Sequence, residues 1–188
     1  MYYAFTCGYF ALCEKKKANI MKTKCEEIVV PRYIDLPYRR GVGIMIINKD
    51  KKVFVGKRID SKNNCWQMPQ GGIDGDETVQ EAGLREMFEE TNIKTIEFVA
   101  ETRSWLYYDI PEFLIGKLWG GRYRGQRQKW ILVKFYGEED EINIDKQNRE
   151  FKEWKWISLE ELPEVVISFK KQIYSSVVND FSPLINNF

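Results

Sequence analysis

There is no histidine anywhere in the 188 residues. Its absence removes the imidazole base, the His-activated nucleophile and the commonest nitrogen ligand for a metal. Acid–base and metal chemistry then fall to carboxylates, Lys, Tyr, Cys or a metal-bound water. Hard, oxygen-ligated cations such as Mg²⁺ or Mn²⁺ are favoured over zinc. Cysteine is scarce as well: Cys7, Cys13, Cys25 and Cys65 form no CxxC pair, and the first three lie outside any expected core. That pattern argues against a disulfide framework or a zinc site, and for a reducing, cytoplasmic compartment. Charge of one sign is also missing, since the formal net charge is +1. Attraction for a polyanion must therefore come from local patches. No hydrophobic run is long enough to span a bilayer. Tyr2 to Cys13 is mainly apolar but too short, and Lys15, Lys16 and Lys17 follow it rather than precede it, so it makes a poor signal peptide.

What is present describes an ordinary globular protein, with 44% hydrophobic and 30% charged residues and a length suited to one domain. Residues 1–36 read as a poorly ordered N-terminal extension, within which Met21 would make a sensible start, and 37–188 as the domain. From Gly41 the texture changes. Gly41–Asn48 and Val53–Gly56 read as strands around a Lys49–Lys51 turn. A Pro/Gly-rich loop over 68–76 leads into a helix near Thr78 to Thr91, where Thr78 and Glu81 fit a capping box. Further strands are expected over 96–104, 129–136 and 152–157. A C-terminal helix is expected from about Leu162 to Val178, with Phe169, Ile173 and Val177 on one face. Mixed strands with helices at two places suggest an α+β sandwich.

The first helix carries the chemistry. Glu86, Glu89 and Glu90 stand at i, i+3 and i+4, on one face. On a helical wheel Glu86 and Glu90 share their side with the small residues Ala82 and Gly83, while Leu84 and Phe88 lie opposite. Acids in the C-terminal half of a helix oppose its dipole and repel one another, unless a cation neutralises them. A solvated acidic face is the bland alternative, and the small neighbours count against it.

Gly71, Glu77, Arg85-Glu86, Met87, Glu89-Glu90 and Ile93 resemble the Nudix box, G-x5-E-x7-R-E-U-x-E-E-x-G-U, with U a bulky apolar residue. Six fixed letters coincide by chance at on the order of one in twenty million starting points at average composition, so the signal is strong. Asn92 stands at the last Gly position, which ends the helix and needs a left-handed backbone that Asn tolerates. The resemblance implies a Nudix fold, an α/β/α sandwich with a mixed β-sheet, and a divalent-metal-dependent phosphoanhydride hydrolase. It makes Glu86, Glu89 and Glu90 Mg²⁺ (or Mn²⁺) ligands, and Arg85 a catalytic residue that orients them through Glu77 or Glu89. It makes Gly71 the point where backbone approaches the metal.

The flanks narrow the resemblance. Tyr38-Arg39-Arg40, Trp66–Gly72, Ser104–Tyr108, Gly125–Trp130, Glu141–Asn143 and Val166–Lys171 together are similar to bacterial RNA pyrophosphohydrolases, which overlap with dinucleoside polyphosphate hydrolases. This likeness implies removal of the terminal phosphates from triphosphorylated RNA, leaving a 5′ monophosphate that promotes decay. The alternative substrate is a dinucleoside tetra- or pentaphosphate. Neither a membrane nor an obligate protein partner is implied. Arg39 would contact phosphate, Glu141 would be a distal metal ligand, and Phe169 would stack on a base. Tyr108, Gln126 and Lys129 join them as substrate contacts, and Lys57 and Arg58 could add a phosphate contact. Phe169 could equally be a core residue on its helical stripe, and Glu141 an ordinary member of an acidic run. Ile142 and Ile144 alternate around Asn143 and aim the chain as a strand, however, which favours the ligand for Glu141. Independently of the resemblance, Lys117 to Trp130 holds five basic residues and no acid, interleaved with Trp119, Tyr123 and Trp130. Such a stretch suits phosphates and stacked bases.

Overall fold

Seven consecutive buried residues, Gly41 to Ile47, make β1 (Tyr38–Ile47) a strand covered on both faces. A computed structural model of the chain describes residues 33–60, 65–145 and 149–188, which belong to one compact unit. The readings of residues 1–32, including the start at Met21 and the cysteines at 7, 13 and 25, lie outside the described residues. β1 pairs in parallel with β7 (Gly125–Phe135) along its whole length, from Tyr38 opposite Gly125 to Ile47 opposite Lys134. Its other edge is shared. β2 (Val53–Arg58) meets it at Ile47, and β4 (Gln70–Gly72) lies antiparallel to Gly41–Gly43. β3 (Trp66–Gln67) and β8 (Phe151–Ile157) extend the sheet beyond β2; β5 (Ile96–Glu101) and β6 (Leu106–Asp109) flank β7.

Alternation along β1 and β7 divides the core in two. Ile44, Ile46, Ile131 and Val133 pack with Met87 under α1 (Val79–Thr91). Met45, Ile47, Trp130 and Leu132 pack with Tyr174, Val177 and Phe181 of α3 (Lys171–Asn186) on the opposite face. The result is the expected α/β/α sandwich on a mixed sheet. α1 begins with the expected capping box: the Glu81 amide donates to Thr78 Oγ1 and the Thr78 amide to Glu81 Oε2. It ends at Asn92 with φ 66°, the left-handed cap inferred for that position. Gly83 lets α1 lie close on the sheet, because a Cβ there would come within 2.5 Å of Ile131.

The structure corrects three expectations. The Pro/Gly-rich stretch is not all free loop, because the edge of β1 captures Gln70–Gly72 as β4. The C-terminal helix is broken: α2 (Leu162–Val165) stops at Val166, which is extended, and a 3-10 turn over Ser168–Lys170 precedes α3. Three consecutive β-branched residues, Val165, Val166 and Ile167, disfavour helix here, and Val166 is drawn into the core instead. Phe169 therefore leaves the stripe that Ile173 and Val177 share. Finally, Glu141 ends a 3-10 turn, and residues 142–145 form no ladder, so no strand there aims its side chain.

Candidate active site

Glu86, Glu89 and Glu90 meet three different environments, which their shared helix face does not reveal. Arg85 gathers the first part of the site. Its Nε and Nη2 donate to Glu77 Oε1 and Oε2 at 2.7 and 2.9 Å, Nη1 donates to Glu86 Oε1 at 2.9 Å, and Nη2 also reaches the Gly72 carbonyl. Glu89 is exposed and touches Arg85 more weakly, at 3.4 Å. The bidentate Arg85 pair, the Asp74 amide and their charge hold Glu77 down at about 2. The Gly72 amide donates to Glu86 Oε1 at 3.0 Å. Gly71 has no room for a side chain: a Cβ would fall 1.8 Å from Glu86 Cδ.

Glu90 lies deeper. It is 6% exposed; its Oε2 accepts from the Gln70 amide at 3.3 Å, and its Oε1 has no hydrogen-bond partner. Burial, then the carboxylates of Glu150 and Glu86, push it well above the usual carboxylate range. Burial also raises Glu86, against the pull of Arg85. Glu150 enters through Arg58, whose Nη1 donates to it at 2.8 Å while the rest of the guanidinium clasps Asp60. Lys170 completes this side. It is buried, stands over the Tyr108 ring at 5.5 Å, and faces Arg58, Glu90 and Glu150. Burial first, and Arg58 second, lower its ammonium to about 7.

Beyond Gln70 the α3 face of the sheet supplies a second set. Arg39 and Gln126 are register partners on β1 and β7. Tyr108 Oη donates to Gln126 Oε1 at 2.8 Å, and Gln128 Nε2 donates to the same atom at 2.8 Å. Gln128 Oε1 is buried without a partner. Phe169 lies 5.9 Å from the Tyr108 ring. Arg39, Tyr108, Gln126 and Phe169 thus share one face, with the acids beside them.

Three of the expected site residues are elsewhere. Lys129 points to the α1 side of β7, where its ammonium donates to Glu101 and to the carbonyls of Thr102 and Arg103. Lys57 is tied to Glu153 and stands over Trp66. Glu141 accepts from the amides of Lys94 and Thr95, just past the end of α1. Although burial opposes it, those amides lower its pKa. Within the basic stretch, Arg124 is structural, clasping Asp109 at 2.7 and 3.0 Å and donating to the Ile34 carbonyl. Sequence reasoning missed Glu150, Lys170, Gln128 and Gln70. Only Gln128 had a readable signal, since Gln126-Arg-Gln128 alternates two glutamines onto one face.

The donor set suits a hard divalent cation. Glu90 presents an orphaned, buried oxygen, and Glu86 and Glu150 stand close enough to raise its pKa. Among the described residues no three acids already converge as a ligand cage, and Arg85 holds Glu86.

The NUDIX domain family model matches residues 37–177. The chain is 51% identical over 154 residues to the RNA pyrophosphohydrolase of Rickettsia typhi, covering 82% of this chain and 96% of that protein. The RNA pyrophosphohydrolase of Rickettsia prowazekii matches with the same identity and coverage. Among solved structures, a C. elegans Ap4A hydrolase binary complex aligns with a TM-score of 0.57 at 21% identity, covering 79% of this chain and 99% of that one. The E. coli dihydroneopterin triphosphate pyrophosphohydrolase aligns with a TM-score of 0.61 at 19% identity, covering 76% and 97%. At such identities the structural likeness bears on the fold alone.

Proposed function

The chain belongs to the NUDIX family, and from that premise we propose that it removes the terminal phosphates from the 5′ end of triphosphorylated RNA. The product is a 5′ monophosphate, which commits the RNA to decay. The observation that carries this reading is the adjacency of two unlike sets. Acidic groups around Glu90 lie beside a face where Arg39 and Lys170 offer positive charge and Tyr108 and Phe169 offer rings. The relatives named RNA pyrophosphohydrolase, alike over most of their length, support the choice of RNA.

Glu86, Glu89, Glu90 and Glu150 would hold Mg²⁺ or Mn²⁺. Such a cation, when bound, neutralises phosphate oxygens and makes hydroxide available at neutral pH without an imidazole. Arg85 sets the rotamer of Glu86, and the Gly71–Gly72 backbone leaves room beside it for a phosphate. Glu89, exposed and loosely held, is the carboxylate best placed to take a proton from the attacking water. Arg39 meets phosphate oxygens, and Phe169 with Tyr108 offers a base a stacking surface. The same reading makes 37–188 the catalytic domain and 1–36 an appendage, apart from the Tyr33–Asp35 3-10 turn, which belongs to the domain's compact unit, and puts the enzyme's work in the cytoplasm. Among the described residues no helix is long and apolar enough to cross a membrane.

The test is a competition, in Mg²⁺, between 5′-triphosphorylated RNA and a dinucleoside tetraphosphate. The RNA is expected to show the higher kcat/KM and the steeper fall with added salt, because a longer polyanion releases more counterions. A higher kcat/KM for the dinucleotide, with equal salt slopes, would move the assignment to dinucleoside polyphosphates.

A second experiment separates the two candidates for the distal acid. Glu150→Gln is expected to lower kcat by roughly a hundredfold, the scale of losing one precisely held charge in a preorganised site. Glu141→Gln should leave kcat within about twofold and lower thermal stability by about 1 kcal/mol, since it only weakens hydrogen bonds to two amides. The reverse order of kcat effects would restore Glu141 as the ligand.

A further inference from the structure

We propose that Trp119 is a positioning residue that fixes the Arg39 guanidinium in the path of the substrate's 5′ phosphates. The proposal rests on the reading of the site as a phosphate-cleaving centre and adds a residue to it.

The first observation is conformational. Trp119 has φ 50°, in the left-handed region. Two other described non-glycine residues share that region, and each has a local reason. Lys51 sits in the β1–β2 turn, where its amide donates to the Asn48 carbonyl, and Asn92 caps α1. Trp119 caps no α-helix; it opens a 3-10 turn (Trp119–Gly121) in the long connection between β6 and β7. A bulky aromatic residue held there is strained and persists only where its surroundings over-determine it. They do so here. The Trp119 carbonyl accepts from both the amide and Nε of Arg122, at 3.4 and 3.2 Å. Gly116, Gly120 and Gly121 all have positive φ, and the chain folds back so tightly that a Cβ on Gly121 would lie 3.2 Å from Gly116 Cα.

The second observation is what this conformation presents. The indole lies under Arg39, whose Cζ is 5.8 Å from the ring centroid, and Tyr123 meets its edge at 6.3 Å. On another side the guanidinium lies along Gly72, with Nη2 2.4 Å from where a Cβ would stand. Gly72 is the residue whose amide donates to Glu86. Arg39 is thus pinned between an aromatic ring and the backbone that touches the acidic cluster. No acid pairs with it among the described residues, in contrast to Arg58, Arg85 and Arg124. A guanidinium stacked but not neutralised keeps its donors for an incoming anion, and its restricted rotamers lose less entropy when the anion binds.

Four variants test this on the full chain with 5′-triphosphorylated RNA and, separately, by calorimetric binding of inorganic triphosphate. Trp119→Asn tolerates the left-handed backbone but has no ring. It is expected to raise KM about tenfold, the measure of a partly desolvated cation–aromatic contact, with kcat within about twofold. Triphosphate affinity should weaken by the same factor. Trp119→Phe, which keeps a ring, should recover most of both. In an Arg39→Ala background Trp119→Asn should add nothing further. An unchanged KM and triphosphate affinity in Trp119→Asn would overturn the proposal, as would an undiminished effect without Arg39 or a fall in kcat and melting temperature alone. If the wild type ignored the RNA yet lost triphosphate affinity through Trp119→Asn, the substrate reading would fail and this one would stand.

Discussion

Glu90→Gln is expected to cut turnover at saturating Mg²⁺ by at least about a thousandfold, while the metal-free protein becomes more stable at neutral pH. The two effects share one cause. Glu90 is buried, one oxygen has no partner, and neighbouring carboxylates repel its charge. Its folded pKa is raised above the ordinary 4.5. The folded state therefore binds the proton more tightly than the unfolded chain does. That contribution to stability is fully present below 4.5 and is lost as pH rises through the raised value. Glutamine keeps the shape without the charge, so the difference in melting temperature between variant and wild type should grow across that window. Added Mg²⁺ should stabilise the wild type and close the gap. Lys170 has the opposite slope and a different window. Its pKa falls from 10.5 to about 7, so stability rises with pH between those values. Glu86→Gln is expected to lose activity on a similar scale with a smaller stability gain, because Arg85 already offsets part of its burial. Activity of either variant within tenfold of wild type would show the ligands to be misassigned.

Gly71→Ala should be the other severe change, and it should act without unfolding the protein. The added methyl would meet the Glu86 carboxyl at 1.8 to 2.1 Å. That group is the far end of a flexible side chain, so it can swing away, and melting temperature should fall by only a few degrees. The displaced carboxylate, however, loses the Gly72 amide and its hold on Arg85. A shift of about 1 Å in a positioned group costs on the order of a hundredfold in rate. Kinetics and a melt on the same sample decide it. A fully active Gly71→Ala enzyme would mean that Glu86 works from a different rotamer, and a collapsed melt would mean that Gly71 is structural.

How much of this site could be read from the chain differs residue by residue. Arg85, Glu86, Glu89 and Glu90 lie within six residues of one helix, where a fixed 100° step converts spacing into shared direction. Even the small residues beside Glu86 and Glu90 were visible on the wheel, and Ala82, Gly83 and Glu90 are buried. The flanks behaved differently. Glu141 was favoured because alternating isoleucines suggested a strand, yet a 3-10 turn carries its carboxylate to the amides of residues 94 and 95. Lys129 carries the right charge one residue out of phase: in β7 the even positions Gln126 and Gln128 face the α3 side beside Tyr108, and Lys129 faces the α1 side. Phe169 meets the Tyr108 ring for a reason opposite to helical periodicity, since the helix breaks before it.

By itself the sequence determined the chemistry and the fold class. The absence of histidine, the capped helix and the spacing from Gly71 to Ile93 are local facts, governed by backbone geometry over a few turns. The tertiary structure alone decided which distant groups join that helix. Glu150 and Lys170 reach Glu90 because β8 pairs with β2 and the α2–α3 break folds against the sheet. Trp119 reaches Arg39 because β7 runs parallel to β1 along its full length. Sequence separation carries no information about such meetings. They follow from strand order, from register, where one residue reverses a side chain's face, and from burial, which sets the charge that each group can hold.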